Sequence, residues 1–182
     1  MIVQFLADGF EEIEALAVTD ILRRASLPVK TVGIGGKTVR GSHGIPVIAD
    51  WTEEELSAAP PDKLAAVILP GGMPGTANLM ESALVRHTLA RAEKEGALLC
   101  AICAAPSVLG RLGYLKGKRA TCFPGFEESL EGARVSEEAV VADGRVITAC
   151  GAGAALEFGF AILSALTSPA QADELKASMQ CR

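Results

Sequence analysis

Five cysteines are the side chains of this 182-residue chain that are best suited to nucleophilic chemistry. Cys103 is distinctive because it directly follows the apolar run 97–102 and precedes a predicted helix. Ala101 and Ala105 lie two residues to either side, and a nucleophile elbow between a strand and a helix requires small neighbours for steric reasons. The helix N-terminus would lower the pKa of the thiol and favour the thiolate. Cys103 is therefore the predicted nucleophile, with a buried core thiol as the alternative.

The other four cysteines have different surroundings. Cys100 and Cys103 have the C-x-x-C spacing of redox dithiols, but Cys100 lies inside an apolar strand, so the two side chains should point to opposite faces. Cys122 and Cys150 are expected to pack in the sheet, and Cys181 is expected in a frayed tail. An odd number of irregularly spaced cysteines is not typical of a disulfide framework, so we expect reduced thiols.

Acidic residues crowd the segment that follows the first apolar run. Glu11, Glu12 and Glu14 lie where acidic side chains stabilise a helix N-terminus by about 0.3 to 1 kcal/mol each. Glu14 falls nearer the apolar face, where a carboxyl group could exchange protons with a thiol or a substrate. The two histidines, His43 and His87, form no recognisable ligand pattern with the acidic residues, so no metal site is expected.

Two glycine-containing segments match nucleotide-binding motifs only in part. Residues 35–38 (GGKT) end like a phosphate-binding loop, but the required first glycine would fall at Thr31 and no helix follows. Residues 151–153 (GAG) open a predicted helix, but Leu156 occupies the third small position of a dinucleotide motif. Both segments therefore indicate turns or close packing, and no cofactor is expected.

The composition indicates one folded domain rather than a disordered chain. Apolar residues make up 49% of the sequence, charged residues 21% and aromatic residues 4%, which suits aliphatic strands packed under helices. The net charge is -5 and the basic residues are scattered, so nucleic acid is not an expected partner. No apolar run approaches the ~20 residues that span a bilayer, and the N-terminus lacks a signal-peptide pattern, so we expect a cytoplasmic protein without a membrane partner.

Apolar runs alternate with helical patterns along the whole chain. The predicted strands are 2–7, 29–34, around 39, 45–48, 64–69, 97–102, 119–122, 140–142 and 145–150. The predicted helices are 11–24, a stretch from about 75, 83–95, 104–112, 154–166 and a short one starting at 169. This alternation is typical of an α/β fold whose mostly parallel sheet binds ligands beyond the carboxyl ends of its strands.

Four segments together closely resemble the ThiJ/PfpI superfamily. They are residues 9–14 (GFEEIE), 69–72 (LPGG), 101–106 (AICAAP) and 151–153 (GAG) followed by 157–158 (EF). The match extends over almost the whole chain and is strongest to the branch of Parkinsonism-associated deglycases and bacterial YajL-like proteins. The resemblance implies a single class I glutamine amidotransferase-like domain over residues 1–182. It also implies a flavodoxin-like three-layer sandwich with a nucleophile elbow, and a homodimer.

The resemblance also implies roles for individual residues. Glu14 and Cys103 fall on the functional glutamate and cysteine of the branch. Gly72 and Ala104 would offer the backbone N–H groups of an oxyanion-like pocket, with Gly71 as a further substrate-binding candidate.

Two positions depart from the pattern of the superfamily. His43 is a candidate substrate-binding residue, although relatives often carry arginine there, near the pocket and the dimer interface. Phe123 precedes Pro124 where many members carry histidine, so the Cys–His pair of the peptidase-like branch is missing.

The activity that the resemblance implies is a glyoxalase that works without glutathione and converts methylglyoxal to lactate through Cys103. The same chemistry on glycated amines would make the chain a protein and nucleotide deglycase that protects against reactive carbonyls and oxidative stress. Its partners would be small 2-oxoaldehydes or glycated amines. The alternatives are a redox-sensing cysteine protein or a holdase chaperone without turnover. A third alternative is an intracellular cysteine peptidase, which would require His43 of a second subunit to lie beside Cys103.

Overall fold

The structure is a computed structural model that describes residues 1–181. Its strands are β1 (Ile2–Ala7), β2 (Val29–Ile34), β3 (Thr38–Arg40), β4 (Pro46–Ile48), β5 (Trp51–Thr52), β6 (Ala66–Leu69), β7 (Leu98–Ile102), β8 (Arg119–Ala120), β9 (Arg134–Val135), β10 (Val140–Asp143) and β11 (Val146–Ala149). Its α-helices are α1 (Glu12–Arg24), α2 (Glu53–Ala58), α3 (Gly75–Glu81), α4 (Ala83–Glu95), α5 (Pro106–Arg111), α6 (Ala155–Leu166) and α7 (Pro169–Ser178). None of these helices is both long enough and apolar enough to cross a membrane.

Seven strands form one sheet in the order β10-β11-β7-β6-β1-β2-β5. All neighbouring strands are parallel except β10 and β11, which form an antiparallel pair at one edge. The predicted α/β class with a mostly parallel, flavodoxin-like sheet is confirmed. The chain runs outward from β1 to β2 and then returns to the opposite side of β1 as β6. The carboxyl ends of β1 and β6 therefore flank a topological switch point, the usual ligand crevice of such sheets.

The two faces of the sheet are covered by different helices, which gives three layers. On one face, Val3, Phe5 and their neighbours pack against buried side chains of α3, α4 and α5. On the other face, Ile2, Ile68 and Cys100 pack against α1, α6 and α7. Successive strand residues thus face opposite layers, and both layers are apolar, which explains why the central strands read as unbroken apolar runs.

A buried glutamine fixes the first helix against the first strand. Gln4, on β1, donates from Nε2 to the carbonyl oxygen of Ala15 at 2.8 Å and accepts from the Thr19 hydroxyl at 3.2 Å. Burial of these polar groups is tolerated because each is hydrogen-bonded. These two hydrogen bonds fix the position of α1 relative to β1, and this places Glu14 at the end of the sheet.

Most predicted elements are confirmed with ends that move by one or two residues, including the hairpin of β3 and β4. β5, β9 and α2 were not predicted from the sequence, although the start of α2 has a recognisable sequence signal. Thr52 and Glu55 form a capping box, in which each side chain bonds the backbone N–H of the other residue. The predicted strand at 119–122 is shorter than expected, because only Arg119–Ala120 is extended and it pairs with β9 outside the main sheet.

Candidate active site

Cys103 lies on a strained turn directly after β7. Its φ is +64°, a left-handed conformation that residues with a Cβ atom rarely adopt. Its amide donates to the carbonyl oxygen of Ala149 at 2.9 Å, and its carbonyl oxygen accepts from the amide of Phe123 at 2.8 Å. Both main-chain groups are thus held by neighbouring segments, and the predicted nucleophile elbow is present.

Two backbone amides are directed at the sulfur of Cys103. The N–H groups of Gly72 and Ala104 each interact with the thiol and favour its ionised form. Neither amide donates to another acceptor within residues 1–181. Gly72 has a φ of +87°, and a Cβ atom there would lie 2.5 Å from the amide nitrogen of Glu11. Glycine is therefore required for this turn to bring its amide to the sulfur.

Glu14 lies in the first turn of α1 and is 1% exposed. Its backbone amide donates to the side chain of Glu11, the N-cap residue, at 2.7 Å. Its carboxylate oxygen Oε2 accepts from the amide of Gly71 at 2.8 Å. Oε1 is buried and has no hydrogen-bond partner among the described residues. A buried carboxylate oxygen without a partner is costly, so this atom is suited to hold or exchange a proton.

Gly71 borders both functional groups. A Cβ atom at this position would lie 2.6 Å from Cβ of Cys103 and 2.8 Å from Oε2 of Glu14. The residue was expected to bind substrate, but its amide is already used by the Glu14 carboxylate. Gly71 therefore positions the carboxylate next to the thiol rather than offering a free donor to a ligand.

The ionisation of the pair differs from the sequence-based expectation. Burial raises the pKa of Glu14 from 4.5 to about 7. Burial and the adjacent Glu14 carboxylate raise the pKa of Cys103 to about 12, against the opposing effect of the Gly72 and Ala104 amides. The prediction that the thiol pKa lies below its usual value is wrong, because burial and Glu14 outweigh the two amides. One reason is that α5 begins only at Pro106.

The two groups titrate as a coupled pair. Because two adjacent negative charges in a buried site repel each other strongly, a thiolate requires a protonated Glu14. The arrangement therefore holds one mobile proton between a carboxyl group and a thiol.

His43 is placed beside α1 and does not bond to Cys103. Its Nδ1 atom lies 2.8 Å from Oε2 of Glu12, and its amide donates to Oε1 of Glu12 at 2.8 Å. Contact with Glu12 raises the pKa of His43. Burial opposes ionisation of Glu12, but the hydrogen bonds from His43 and Ile45 outweigh it and lower the pKa of Glu12 to about 2. No Cys–His pair of the peptidase kind forms within residues 1–181.

The role of Glu12 was not predicted from the sequence. This carboxylate holds the loop around His43 against α1. Glu11, Glu12 and His43 also form a group of three side chains whose possible metal-ligand atoms lie within 4.8 Å of one another. Residues 31 positions apart form this group, so no chain spacing could reveal it. The carboxylates are already bonded to the loop and to the helix amide of Glu14, which accounts for their positions without a metal ion.

The remaining cysteines differ in part from expectation. Cys100 is fully buried on the α1 and α6 face of the sheet, as predicted. Cys122 and Cys150 follow the ends of β8 and β11 rather than lying in strands, and both line one surface cavity. Cys181 packs against the apolar core instead of lying in a frayed tail.

The fold and the site can be compared with known proteins. The sequence model of the DJ-1/PfpI family matches residues 1–165. Protein dj-1beta of Drosophila melanogaster is 37% identical over 173 residues, which cover 93% of this chain and 91% of that protein. Glutathione-independent glyoxalase DJR-1.2 of Caenorhabditis elegans is 32% identical over 167 residues, which cover 91% of this chain and 87% of that protein. The solved structure of oxidized Toxoplasma gondii DJ-1 has a TM-score of 0.92 at 30% identity and covers 98% of this chain and 97% of that one.

Proposed function

Because the chain belongs to the DJ-1/PfpI family, we propose that it is a glyoxalase that uses Cys103 and converts methylglyoxal to lactate without glutathione. The observation that carries the proposal is the pairing of the strained Cys103 with a buried, unpartnered carboxylate oxygen of Glu14 and two free backbone amides. The relative described as a glutathione-independent glyoxalase supports the same substrate class.

The first step is addition of the thiolate to the aldehyde carbon of a 2-oxoaldehyde. Cys103 transfers its proton to Glu14, the carbon–sulfur bond forms, and the electron pair of the carbonyl moves onto oxygen. The amides of Gly72 and Ala104 are placed to stabilise the developing negative charge on that oxygen. Protonation by Glu14 then gives a hemithioacetal and restores the carboxylate.

The second step moves hydrogen within the substrate. The Glu14 carboxylate removes the proton from the carbon that carries sulfur, and the same proton is returned to the neighbouring carbon. The hydroxyl proton on the first carbon moves to the ketone oxygen, so the first carbon is oxidised to a thioester while the ketone is reduced to an alcohol. No external oxidant or reductant is needed. Water then cleaves the thioester, which releases lactate and regenerates the thiol. The pKa of Glu14 near 7 suits a group that must both donate and accept a proton at neutral pH.

A deglycase activity follows from the same first intermediate. In an early adduct of an aldehyde with an amine, the aldehyde carbon carries a hydroxyl group and the amine nitrogen. Attack by Cys103 forms the carbon–sulfur bond and breaks the carbon–nitrogen bond, and Glu14 protonates the departing amine. The resulting hemithioacetal then reacts as above and gives the free amine and a hydroxy acid.

Lactate formation from methylglyoxal without glutathione tests the proposal directly. Cys103→Ser and Glu14→Gln are each expected to lower kcat/KM by at least about a thousandfold, because each removes a group that changes bonding in the reaction. Cys122→Ser is the control, since it removes a buried thiol that the mechanism does not use, and it should retain activity. Undiminished turnover in Cys103→Ser would refute the proposal.

A redox-sensing role of the same thiol is the second candidate, and a relative whose structure is described as oxidized favours it. In this role, peroxide would convert Cys103 to a sulfinate that Glu14 stabilises, and no substrate would be turned over. Mass spectrometry after mild peroxide treatment should show a gain of two oxygens at Cys103 before the other four cysteines react. Equal oxidation of all five cysteines would count against sensing.

A homodimer is part of the proposal. Four large apolar side chains are exposed on α1 and on the segment that contains β4: Ile13, Leu16, Ile45 and Ile48. The two elements are adjacent because Glu12 bonds the loop at His43. We therefore expect these side chains to be covered by a second copy, which light scattering of the purified protein would detect as twice the mass of the chain.

A further inference from the structure

His43 is the cationic partner of two largely buried carboxylates at the start of α1. The side chains of Glu12 and Glu11 are 5% and 12% exposed, whereas that of His43 is 69% exposed. Nδ1 of His43 lies 2.8 Å from Oε2 of Glu12 and 3.9 Å from Oε1 of Glu11. Within residues 1–181, no lysine or arginine lies within ion-pair distance of either carboxylate. The negative charge at this end of α1 is therefore balanced by a side chain that can lose its proton.

Glu11 connects this charged group to Glu14 of the candidate active site. Oε2 of Glu11 accepts from the amide of Glu14 at 2.7 Å, while its Oε1 atom faces His43. The amide of Glu11 donates to the carbonyl oxygen of Gly71 at 2.9 Å, and the amide of Gly71 donates to the Glu14 carboxylate at 2.8 Å. A continuous series of polar contacts thus joins the loop of His43 to the carboxylate beside Cys103.

The charges in this group act on one another. Burial raises the pKa of Glu14 to about 7, and the charge of Glu11 adds to that rise. The hydrogen bond to Glu12 raises the pKa of His43, and the charges of Glu12 and Glu11 add to that rise. The other titratable group that faces Glu14 is Cys103, on the turn after β7. A proton on His43 offsets the charge of Glu11, so it favours the ionised form of Glu14.

We propose that His43 is a positioning residue: as an imidazolium it neutralises the two carboxylates at the start of α1 and so keeps Glu14 available as the base that removes the substrate proton. The inference rests on the proposed function, because Glu14 is the base of that reaction. It gives His43 an electrostatic role instead of the substrate contact expected from the sequence. Loss of the imidazolium proton leaves two uncompensated carboxylates near Glu14, which then keeps its own proton to a higher pH.

The dependence of kcat/KM for methylglyoxal on pH tests this role. Its acidic limb reports the loss of the Glu14 proton in the free enzyme. His43→Gln keeps a hydrogen-bond donor without the charge, so the limb should move to higher pH and kcat/KM should fall about threefold at pH 6 and stay unchanged at pH 9. His43→Arg keeps a cation at every pH and should retain the value of the unmodified protein at pH 6. The matched control is His87→Gln, the same substitution at an exposed position of α4.

A purely structural role of His43 gives a different pattern. If the side chain only holds its loop in place, His43→Gln lowers kcat/KM by the same factor at every pH, and the midpoint of the acidic limb does not move. That result, or a limb that moves equally in His43→Gln and His43→Arg, would overturn the inference. The variants are compared at a protein concentration at which light scattering gives the same mass for each, so that a change of oligomeric state does not contribute.

A titration without turnover separates this inference from the proposed reaction. Coupling between two protonation sites is reciprocal, so each site must shift the other by the same amount. NMR can follow the His43 ring and the Glu14 carboxyl group in Cys103→Ser protein, where no thiolate forms. We expect Glu14→Gln to lower the pKa of His43 by as much as His43→Gln raises the pKa of Glu14, with the His87 ring as the reference in the same spectra.

The two measurements can fail independently. If methylglyoxal is not converted but the reciprocal shifts are found, the proposed reaction fails and the electrostatic link between His43 and Glu14 stands. If methylglyoxal is converted but the His43 ring titrates identically with and without the Glu14 carboxyl group, the reaction stands and the role of His43 is refuted.

Discussion

Replacement of Glu14 by glutamine should make the protein more stable at neutral pH while removing its activity. Glutamine has nearly the same shape, and its side-chain oxygen can still accept from the Gly71 amide, the bond that holds the carboxylate at 2.8 Å. The amide carries no charge, so the variant avoids the cost of an ionised group at a site that is 1% exposed. The substitution therefore separates the reactive role of Glu14 from its effect on stability.

The size of the effect follows from the pKa of Glu14. Burial raises it from 4.5 to about 7, which corresponds to about 3 kcal/mol between the two protonation states. Below pH 4.5 the carboxyl group is protonated in the folded and the unfolded chain and has no effect on the difference between them. Between pH 4.5 and 7 only the folded chain keeps the proton, so the free energy of unfolding falls as pH rises. Above pH 7 the full loss of about 3 kcal/mol is reached.

Urea unfolding at pH 5, 6, 7 and 8 measures this loss. At one protein concentration, the advantage of Glu14→Gln over the unmodified protein should grow by about 2 to 3 kcal/mol from pH 5 to pH 8. The same comparison in a Cys103→Ala background isolates the carboxyl group from its coupling to the thiol, and Glu131→Gln, an exposed position, controls for loss of a surface charge. A difference between variant and parent that does not change with pH in either background would refute the buried, proton-holding carboxyl group.

Two further substitutions test parts of the scaffold. Gly71→Ala places a methyl group 2.6 Å from Cβ of Cys103, so kcat/KM for methylglyoxal should fall at least about tenfold. The control, Gly153→Ala, adds a methyl group in open space and should leave kcat/KM unchanged. Equal values for the two variants would show that the backbone near Cys103 can shift to accommodate the methyl group. Glu12→Gln removes the charge that accepts from His43, so hydrogen exchange at the His43 amide should speed up about tenfold, and an unchanged exchange rate would mean that other contacts hold the loop.

The strand-and-helix alternation made the fold predictable from the sequence. Apolar runs such as Ala66–Leu69 are buried on both faces, and a parallel sheet between two helical layers provides that environment. Helix α2 was not predicted because it has only six residues and one buried side chain, Leu56. Its apolar periodicity is therefore too short to detect.

The site was predictable where it depends on local geometry. Cys103 could be found because a strand, a strained turn and a helix follow one another in the chain. The pKa of its thiol could not be predicted, because that value depends on Glu14. Glu14 lies 89 positions earlier in the chain, and only the fold brings it next to Cys103. The same limit applies to Glu12, whose partners lie in a loop that returns to α1 only after β2 and β3.

The backbone of Cys103 has a consequence for how this protein can change. Its left-handed conformation costs a residue with a Cβ atom about 1 to 2 kcal/mol, yet both of its main-chain groups are held by Ala149 and Phe123. Neighbouring segments therefore hold this turn in place, and the thiol does not. Other small side chains should fit at position 103 without loss of the turn. A substitution at this single position should then replace or remove the nucleophile while the fold stays intact. Evolution can therefore change the chemistry of this fold through one residue.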